Sequence, residues 1–325
     1  MDRSLDRPSA SSPGTRRQIP PHTPPQTPPQ ATPSQPTPPQ PTPSQTPPQA
    51  TPPQAAPPQP APPEPAWVAG YLRRIGAERP AAPDSAALRE LQLRHLHTVP
   101  FENLSIHRGE DIVLADAPLI DKIVGARRGG ICYELNGAFA ALLRALGFHV
   151  TLLQGRVHSP DGGLGIPYDH LALRVETADG TGPWLADVGF GEHSHHPLLF
   201  GERGGQQDPG GTFRIASAAG DDLDVVRDGK PQYRLEQRPR ELADFEAGAW
   251  YHRTSPASHF TRSLICSRLS DHGRITLSGG KLITTVRGER REQALVSDAA
   301  VLAAYRDHFG LEFDRVPVRM DITSE

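Results

Sequence analysis

The chain has 325 residues and a formal net charge of −3, with 36% hydrophobic and 22% charged residues. This near-neutral balance gives no electrostatic footing for nucleic acid or an anionic membrane surface, and no stretch is long and apolar enough to span a bilayer. No charged stretch leads into an apolar run as a secretory signal would, and Cys132 and Cys266 alone make neither a disulfide framework nor a zinc site, so the reducing cytoplasm is the expected compartment.

Residues 1–65 hold 24 of the 37 prolines and no Phe, Tyr, Trp or Val. Across residues 21–60 short units repeat, such as Thr23-Pro24-Pro25-Gln26 and Thr46-Pro47-Pro48-Gln49. Proline fixes φ and removes a backbone donor, so neither helix nor sheet propagates there. The segment is expected to be a disordered Pro-rich tail with polyproline II character. It carries PxxP patterns of the kind aromatic-groove domains bind, and it also reads as an inert spacer, which the composition favours.

The remaining 260 residues are enough for a sizeable core. Trp67, Tyr71, Leu72 and Ile75 predict a short helix closed by Gly76, and Pro83-Asp84 opens a second one that ends before Pro100. Pro100-Phe101-Glu102-Asn103-Leu104 reads as a turn, and Leu119–Val124 as another short helix. Behind Arg128-Gly129-Gly130-Ile131-Cys132, the residues Leu135, Phe139, Leu142, Leu143 and Leu146 share one helical face, with Gly147 as the stop. Short strands follow at Val150–Val157, His170–Glu176, Trp184–Val188, Thr212–Ile215, Asp222–Val226 and Gln232–Glu236, the pattern of a small antiparallel sheet or barrel. A hairpin, Arg274–Leu277 with Leu282–Val286, turns at Gly279-Gly280, and a last helix runs from Ser297 to Gly310. Helices, then strands, then a mixed tail make the class α+β.

Cys132 opens a helix behind a Gly-Gly turn, where unpaired N–H groups and the positive end of the dipole favour a thiolate. Cys266, in Leu264-Ile265-Cys266, has no such setting and reads as core. A cysteine nucleophile needs a base, and the base an orienting partner. His170 begins one strand and Asp187 ends the next, with the turn Ala178-Asp179-Gly180-Thr181-Gly182 between them. A turn centred between Ala178 and Asp179 puts the two directly opposite. A turn at Asp179-Gly180 shifts the pairing by two residues and leaves them on one face as a diagonal pair.

These motifs together resemble the arylamine N-acetyltransferases. The family's R-G-G-x-C-x-E-x-N signature stands here as Arg128-Gly129-Gly130-Ile131-Cys132-Tyr133-Glu134-Leu135-Asn136. The histidine strand matches Asp169-His170-Leu171-Ala172-Leu173, and the aspartate motif Asp187-Val188-Gly189-Phe190-Gly191. Val99-Pro100-Phe101-Glu102-Asn103-Leu104 and Thr254-Ser255-Pro256, with Ser258 and Phe260, add to the likeness. The resemblance implies a helical bundle over residues 66–148 bearing the cysteine, a central antiparallel β-barrel over 149–258 bearing the histidine and aspartate, and a C-terminal α/β lid over 259–325. It also implies a Cys132–His170–Asp187 triad moving an acetyl group from acetyl-CoA, as co-substrate, to an arylamine, arylhydroxylamine or hydrazine. On the same ground Gly189, Phe190 and Gly191 line the acyl and CoA site, while Arg128, Gly129, Gly130, Glu134 and Asn136 support the motif.

No permanently bound cofactor or metal is implied. His193, His195 and His196 lie outside the family pattern, and a solvated run is expected there in preference to a metal site. Three other readings stand beside this one: a macrolactam-forming amide synthase of ansamycin-type polyketide assembly and a cysteine hydrolase or transglutaminase-like enzyme, both with the same triad, and a non-enzymatic interaction protein that uses its Pro-rich head and has a dead catalytic domain.

Overall fold

Residues 65–319 are described by the computed structural model. The repeats of residues 21–60, and with them the PxxP reading, lie outside the described residues. Helix α1 (Ala66–Ile75) buries Val68, Tyr71, Leu72 and Ile75 and stops at Gly76, whose φ of 67° is left-handed. Helix α2 (Ser85–Thr98) starts at Asp84, whose carboxylate accepts the Ala87 N–H at 2.8 Å. Pro100–Leu104 is not the simple turn expected. Phe101–Glu102 is a short strand, β1, and Leu104–His107 is a helical turn, α3. Helix α4 (Asp116–Ile120) widens into a π turn over Asp121–Gly125, and α5 (Cys132–Ala145) is buried without a break from Cys132 to Leu143. An α5 buried on every side, rather than along one stripe, marks it as the central helix.

Eight strands form the larger sheet: β2 (His149–Val157), β3 (His170–Glu176), β4 (Trp184–Ala186), β5 (Leu198–Leu199), β6 (Gln206–Asp208), β7 (Gly211–Ser217), β8 (Leu223–Arg227) and β9 (Lys230–Leu235). All pairs are antiparallel, in the order β5-β4-β3-β2-β9-β8-β7-β6, and the sheet curls into a nearly closed barrel. Its interior holds Leu153, Ala172, Leu185, Phe213 and Tyr233, while Leu152, Leu171 and Leu173 share the core with α5. Alternate side chains of β2 and β3 therefore serve two cores, which is why both strands read as nearly continuous apolar runs.

After α6 (Glu246–Thr254) and α7 (His259–Arg262) comes a second sheet of β10 (Ile265–Ser270), β11 (Gly273–Ser278), β12 (Lys281–Val286) and β13 (Glu289–Ala294), covered by α8 (Asp298–Phe309). The order is β1-β10-β11-β12-β13, so a two-residue strand from the helical region closes one edge. Val301, Ala304, Tyr305 and Phe309 of α8 pack with Cys266 and Leu277, making Cys266 the core residue its setting suggested. In the β3–β4 pair Leu173 faces Ala186 and Val175 faces Trp184. That register is the one set by a turn at Asp179-Gly180, where Gly180 has a φ of 70°. It leaves Asp187, just past β4, on the diagonal from His170.

Candidate active site

The approach to α5 is built from two close contacts. A Cβ on Gly129 would lie 1.8 Å from the carbonyl oxygen of Pro100, and one on Gly130 would lie 2.7 Å from Cβ of Glu134. Arg128 anchors this segment through Glu102 at 2.9 Å and Glu110 at 3.2 Å. Glu134 accepts the Ile131 N–H at 3.0 Å and pairs with Lys122 at 2.5 Å. Burial pushes the Glu134 carboxyl up, and Lys122 opposes that shift. Asn136, one turn beyond Cys132, donates to the Leu171 carbonyl at 2.7 Å and to Asp187 Oδ1 at 2.9 Å, and accepts the Val188 N–H at 2.9 Å. It thereby ties α5 to β3 and to the aspartate loop at once.

Asp187 is 1% exposed, yet its carboxylate is fully engaged. Oδ1 accepts from Asn136 and from the N–H groups of Gly189 at 2.9 Å and Phe190 at 3.1 Å. Oδ2 accepts from His170 Nε2 at 2.7 Å and the Tyr233 hydroxyl at 3.0 Å. Burial on its own would raise the Asp187 carboxyl, but His170, His193 and Asn136 hold it well below the usual carboxylate range. Burial on its own would lower His170; the Asp187 carboxylate, with help from the Cys132 side chain, raises it to about 10. With Nε2 of His170 committed to Asp187, Nδ1 is the ring nitrogen left to act on Cys132. The structure thus brings Cys132, His170 and Asp187 together from α5, β3 and the end of β4.

Cys132 is 3% exposed and its sulfur lies 3.9 Å from the Asp169 carbonyl oxygen. It lines a cavity of about 1020 Å³ together with His170, Gly189, Phe190 and Gly191, with Asp187 behind them. A Cβ on Gly189 would fall 2.7 Å from Cα of Cys132, so only glycine lets this loop lie against the start of α5. Phe190 sets its ring edge-on to His170, with centroids 5.2 Å apart. Opposite walls come from Phe101, Tyr251, Phe260 and the half-buried Arg274, whose guanidinium donates to the Gly191 carbonyl at 2.5 Å. Cys266 is not among the cavity residues, and burial pushes its thiol well above the usual value.

The reading of the histidine run as solvated is corrected: His193, Ser194 and His196 are all buried. His196 Nδ1 meets Asp208 at 2.9 Å, whereas His193 turns inward to the Tyr233 hydroxyl at 3.0 Å. Among the described residues, no group of three or more His, Cys, Asp or Glu could hold a metal ion. Sequence reasoning missed Tyr233, which reaches Asp187 from across the barrel and carries no local motif. It also missed the row Asp169–His252–Ser258 in the cavity wall, where His252 meets Asp169 Oδ1 and Ser258 Oγ at 3.0 Å each. Among the described residues no helix is long and apolar enough to cross a membrane.

Residues 84–318 match the family model described as N-acetyltransferase, which sets the class as an acyl-transferring enzyme. An arylamine N-acetyltransferase of Mycolicibacterium smegmatis is 34% identical over 254 residues, covering 75% of this chain and 92% of the relative. One from Escherichia coli is 34% identical over 251 residues, covering 75% and 88%. Among solved structures, the Mycobacterium marinum arylamine N-acetyltransferase in complex with CoA is 33% identical with a TM-score of 0.70, covering 75% of this chain and 92% of that one. The chain belongs to the arylamine N-acetyltransferase family.

Proposed function

We propose that the protein transfers an acetyl group from acetyl-CoA to the nitrogen of an arylamine, arylhydroxylamine or hydrazine by a ping-pong reaction through an acetyl-Cys132 intermediate. The observation that carries the reading is the buried 2.7 Å contact between His170 and Asp187, with His170 and Cys132 lining the same cavity. An imidazole held protonated to about pH 10 keeps an ion-pair partner beside the Cys132 sulfur at neutral pH. The thiolate attacks the thioester carbonyl, CoA leaves as its thiolate, and His170 hands over the proton. The amine then attacks the acetyl-cysteine, neutral His170 accepts the ammonium proton, and the thiolate–imidazolium pair is restored. Asp187 keeps the tautomer and stabilises the imidazolium without leaving its own hydrogen bonds.

In this reading Gly189, Phe190 and Gly191 form the acyl-side wall, and Arg128, Gly129, Gly130, Glu134 and Asn136 hold the sulfur in place. Acetyl-CoA is a co-substrate, supported by the CoA complex of the M. marinum relative. The division of the body into a bundle bearing the cysteine (66–148), a barrel bearing His170 and Asp187 (149–258) and a C-terminal lid (259–325) belongs to the same proposal. The test is kinetic. With acetyl-CoA alone the enzyme releases one equivalent of CoA per site, and double-reciprocal plots against an aromatic amine or hydrazine run parallel. Release of CoA that requires the amine to be present contradicts the two-step scheme.

A further inference from the structure

His193 is 4% exposed, in a box made by Phe190, Phe213 and Tyr233 with ring centroids 5.4, 5.0 and 5.4 Å away. Three apolar or aromatic neighbours would accept a phenylalanine at this position. A histidine there pays a polar cost, and part of it is visible: Nδ1 is buried with no hydrogen-bond partner. An orphaned buried nitrogen in a native fold calls for an explanation. The other ring nitrogen supplies one, lying 3.0 Å from the Tyr233 hydroxyl and 3.9 Å from Asp187 Oδ2.

The proton positions follow from what each group can do. A carboxylate only accepts, so the Tyr233 hydroxyl donates its one proton to Asp187 Oδ2. Tyr233 oxygen must then accept from His193, which fixes the proton on Nε2 and leaves the Nδ1 lone pair exposed to nothing. That is the nitrogen found without a partner. The chain His193 Nε2–H to Tyr233 O–H to Asp187 Oδ2 ends on the same oxygen that accepts His170 Nε2–H at 2.7 Å. A hydroxyl that accepts a hydrogen bond becomes a stronger donor, because successive hydrogen bonds polarise one another. His193 therefore strengthens the grip of Tyr233 on Oδ2, and whatever Tyr233 draws from that oxygen is withheld from His170.

We infer that His193 is a positioning residue for the acetyl-transfer reaction, which acts through Tyr233 and Asp187 to moderate how firmly His170 holds its proton. The inference rests on the roles given above to His170 and Asp187. The charged and titratable groups facing His170 are Asp187, Cys132, Tyr233 and His193; those facing His193 are Asp187, His170, Tyr233, Asp208 and Arg227. Burial, the first of these influences, lowers His193 to about 4, so it stays neutral through the working range while His170 changes state. The moderation matters most in the second half-reaction, where His170 must be neutral to take the proton from the amine.

The test uses the full chain, pre-acetylated with acetyl-CoA, and follows single-turnover transfer to one aromatic amine across pH. The rate rises with pH as His170 loses its proton. In His193→Phe the rising limb moves up by about half a unit, roughly a threefold slower transfer on the limb, while the melting temperature holds or rises because the orphaned nitrogen is gone. His193→Gln, whose amide nitrogen stands the same number of bonds from Cα as Nε2, keeps the limb where the parent has it. Tyr233→Phe moves the limb in the same direction, and adding His193→Phe to it gives no further shift. A limb that stays put in either single Phe variant, a Gln variant that moves as far as the Phe variant, or additive shifts in the double variant overturns the inference. Absence of an acetyl adduct on Cys132 in the parent enzyme would instead overturn the mechanism on which the inference rests.

Discussion

At the scale of single residues, five hydrogen bonds converge on one buried carboxylate, Asp187. Asp187→Asn keeps the shape but loses the charge that holds the imidazolium, so turnover falls by orders of magnitude. Leaving this site uncompensated costs roughly 3–5 kcal/mol of stability, measured by denaturant unfolding. Near-parental turnover in the Asn variant would contradict the role of Asp187. The pH dependence of stability follows from the same pair. His170 is raised to about 10 in the fold, so its contribution is complete below the unfolded histidine value of about 6.5 and is lost as pH rises through about 10. Asp187, held well below the usual carboxylate range, contributes above the unfolded carboxylate value and loses that contribution only in strong acid. The melting temperature should therefore fall between about pH 6.5 and pH 10, and that slope should flatten in Asp187→Asn.

The Cys132, His170 and Asp187 cluster was legible in the sequence because each residue sits at a strand or helix end beside its own motif. Tyr233 and His193 were not. Their roles depend on contacts 46 and 40 residues away across the barrel, and neither has a local pattern that distinguishes it from a core residue. The histidine run looked solvated because three imidazoles in four positions suggest a polar loop. Burial here is imposed by the strands around it, which no local pattern records.

At the scale of elements, the glycines of the signature and of the aspartate loop are where sequence and packing meet. Gly189→Ala would put a methyl carbon 2.7 Å from Cα of Cys132, so either the loop or the start of α5 must move. Such overpacking costs about 1–3 kcal/mol, and the displacement should lower turnover more than it lowers the melting temperature. Gly76→Ala, with a φ of 67° but nothing within 4 Å, should cost stability alone and leave turnover as it is. A Gly189→Ala enzyme with parental turnover would separate this loop from the chemistry. Helix α5, the paired strands β2 and β3, and the β11–β12 hairpin were readable from periodicity and turn residues. Strand β13, Glu289-Arg290-Arg291-Glu292-Gln293-Ala294, was not, because all six side chains are exposed and no alternation marks it. Strand β1 escaped for a different reason: two residues become a strand only because β10 pairs with them from far along the chain.

At the scale of the whole molecule, the described body closes its own cores. Val68, Tyr71, Leu72 and Ile75 of α1 pack in the same cluster as α5, so the first turn of the body is already part of it. Residues 1–64 offer only Met1, Leu5 and Ile19 as large apolar side chains. A chain starting at Pro65 should therefore melt at the same temperature and acetylate a small amine with unchanged kinetics; a loss of several degrees would assign the head a place on the body. The helices-then-strands order carried the α+β class, whereas the closing of the second sheet by β1 rests on long-range pairing that no window of sequence contains. In the proposed reaction the acetyl group rests on one sulfur, that of Cys132. Treating the protein with acetyl-CoA without an acceptor, then mapping peptides by mass spectrometry, locates it. A single acetyl group on Cys132, absent in Cys132→Ser and discharged by an aromatic amine, is the expected result; an adduct on Cys266, or none on either cysteine, would contradict it.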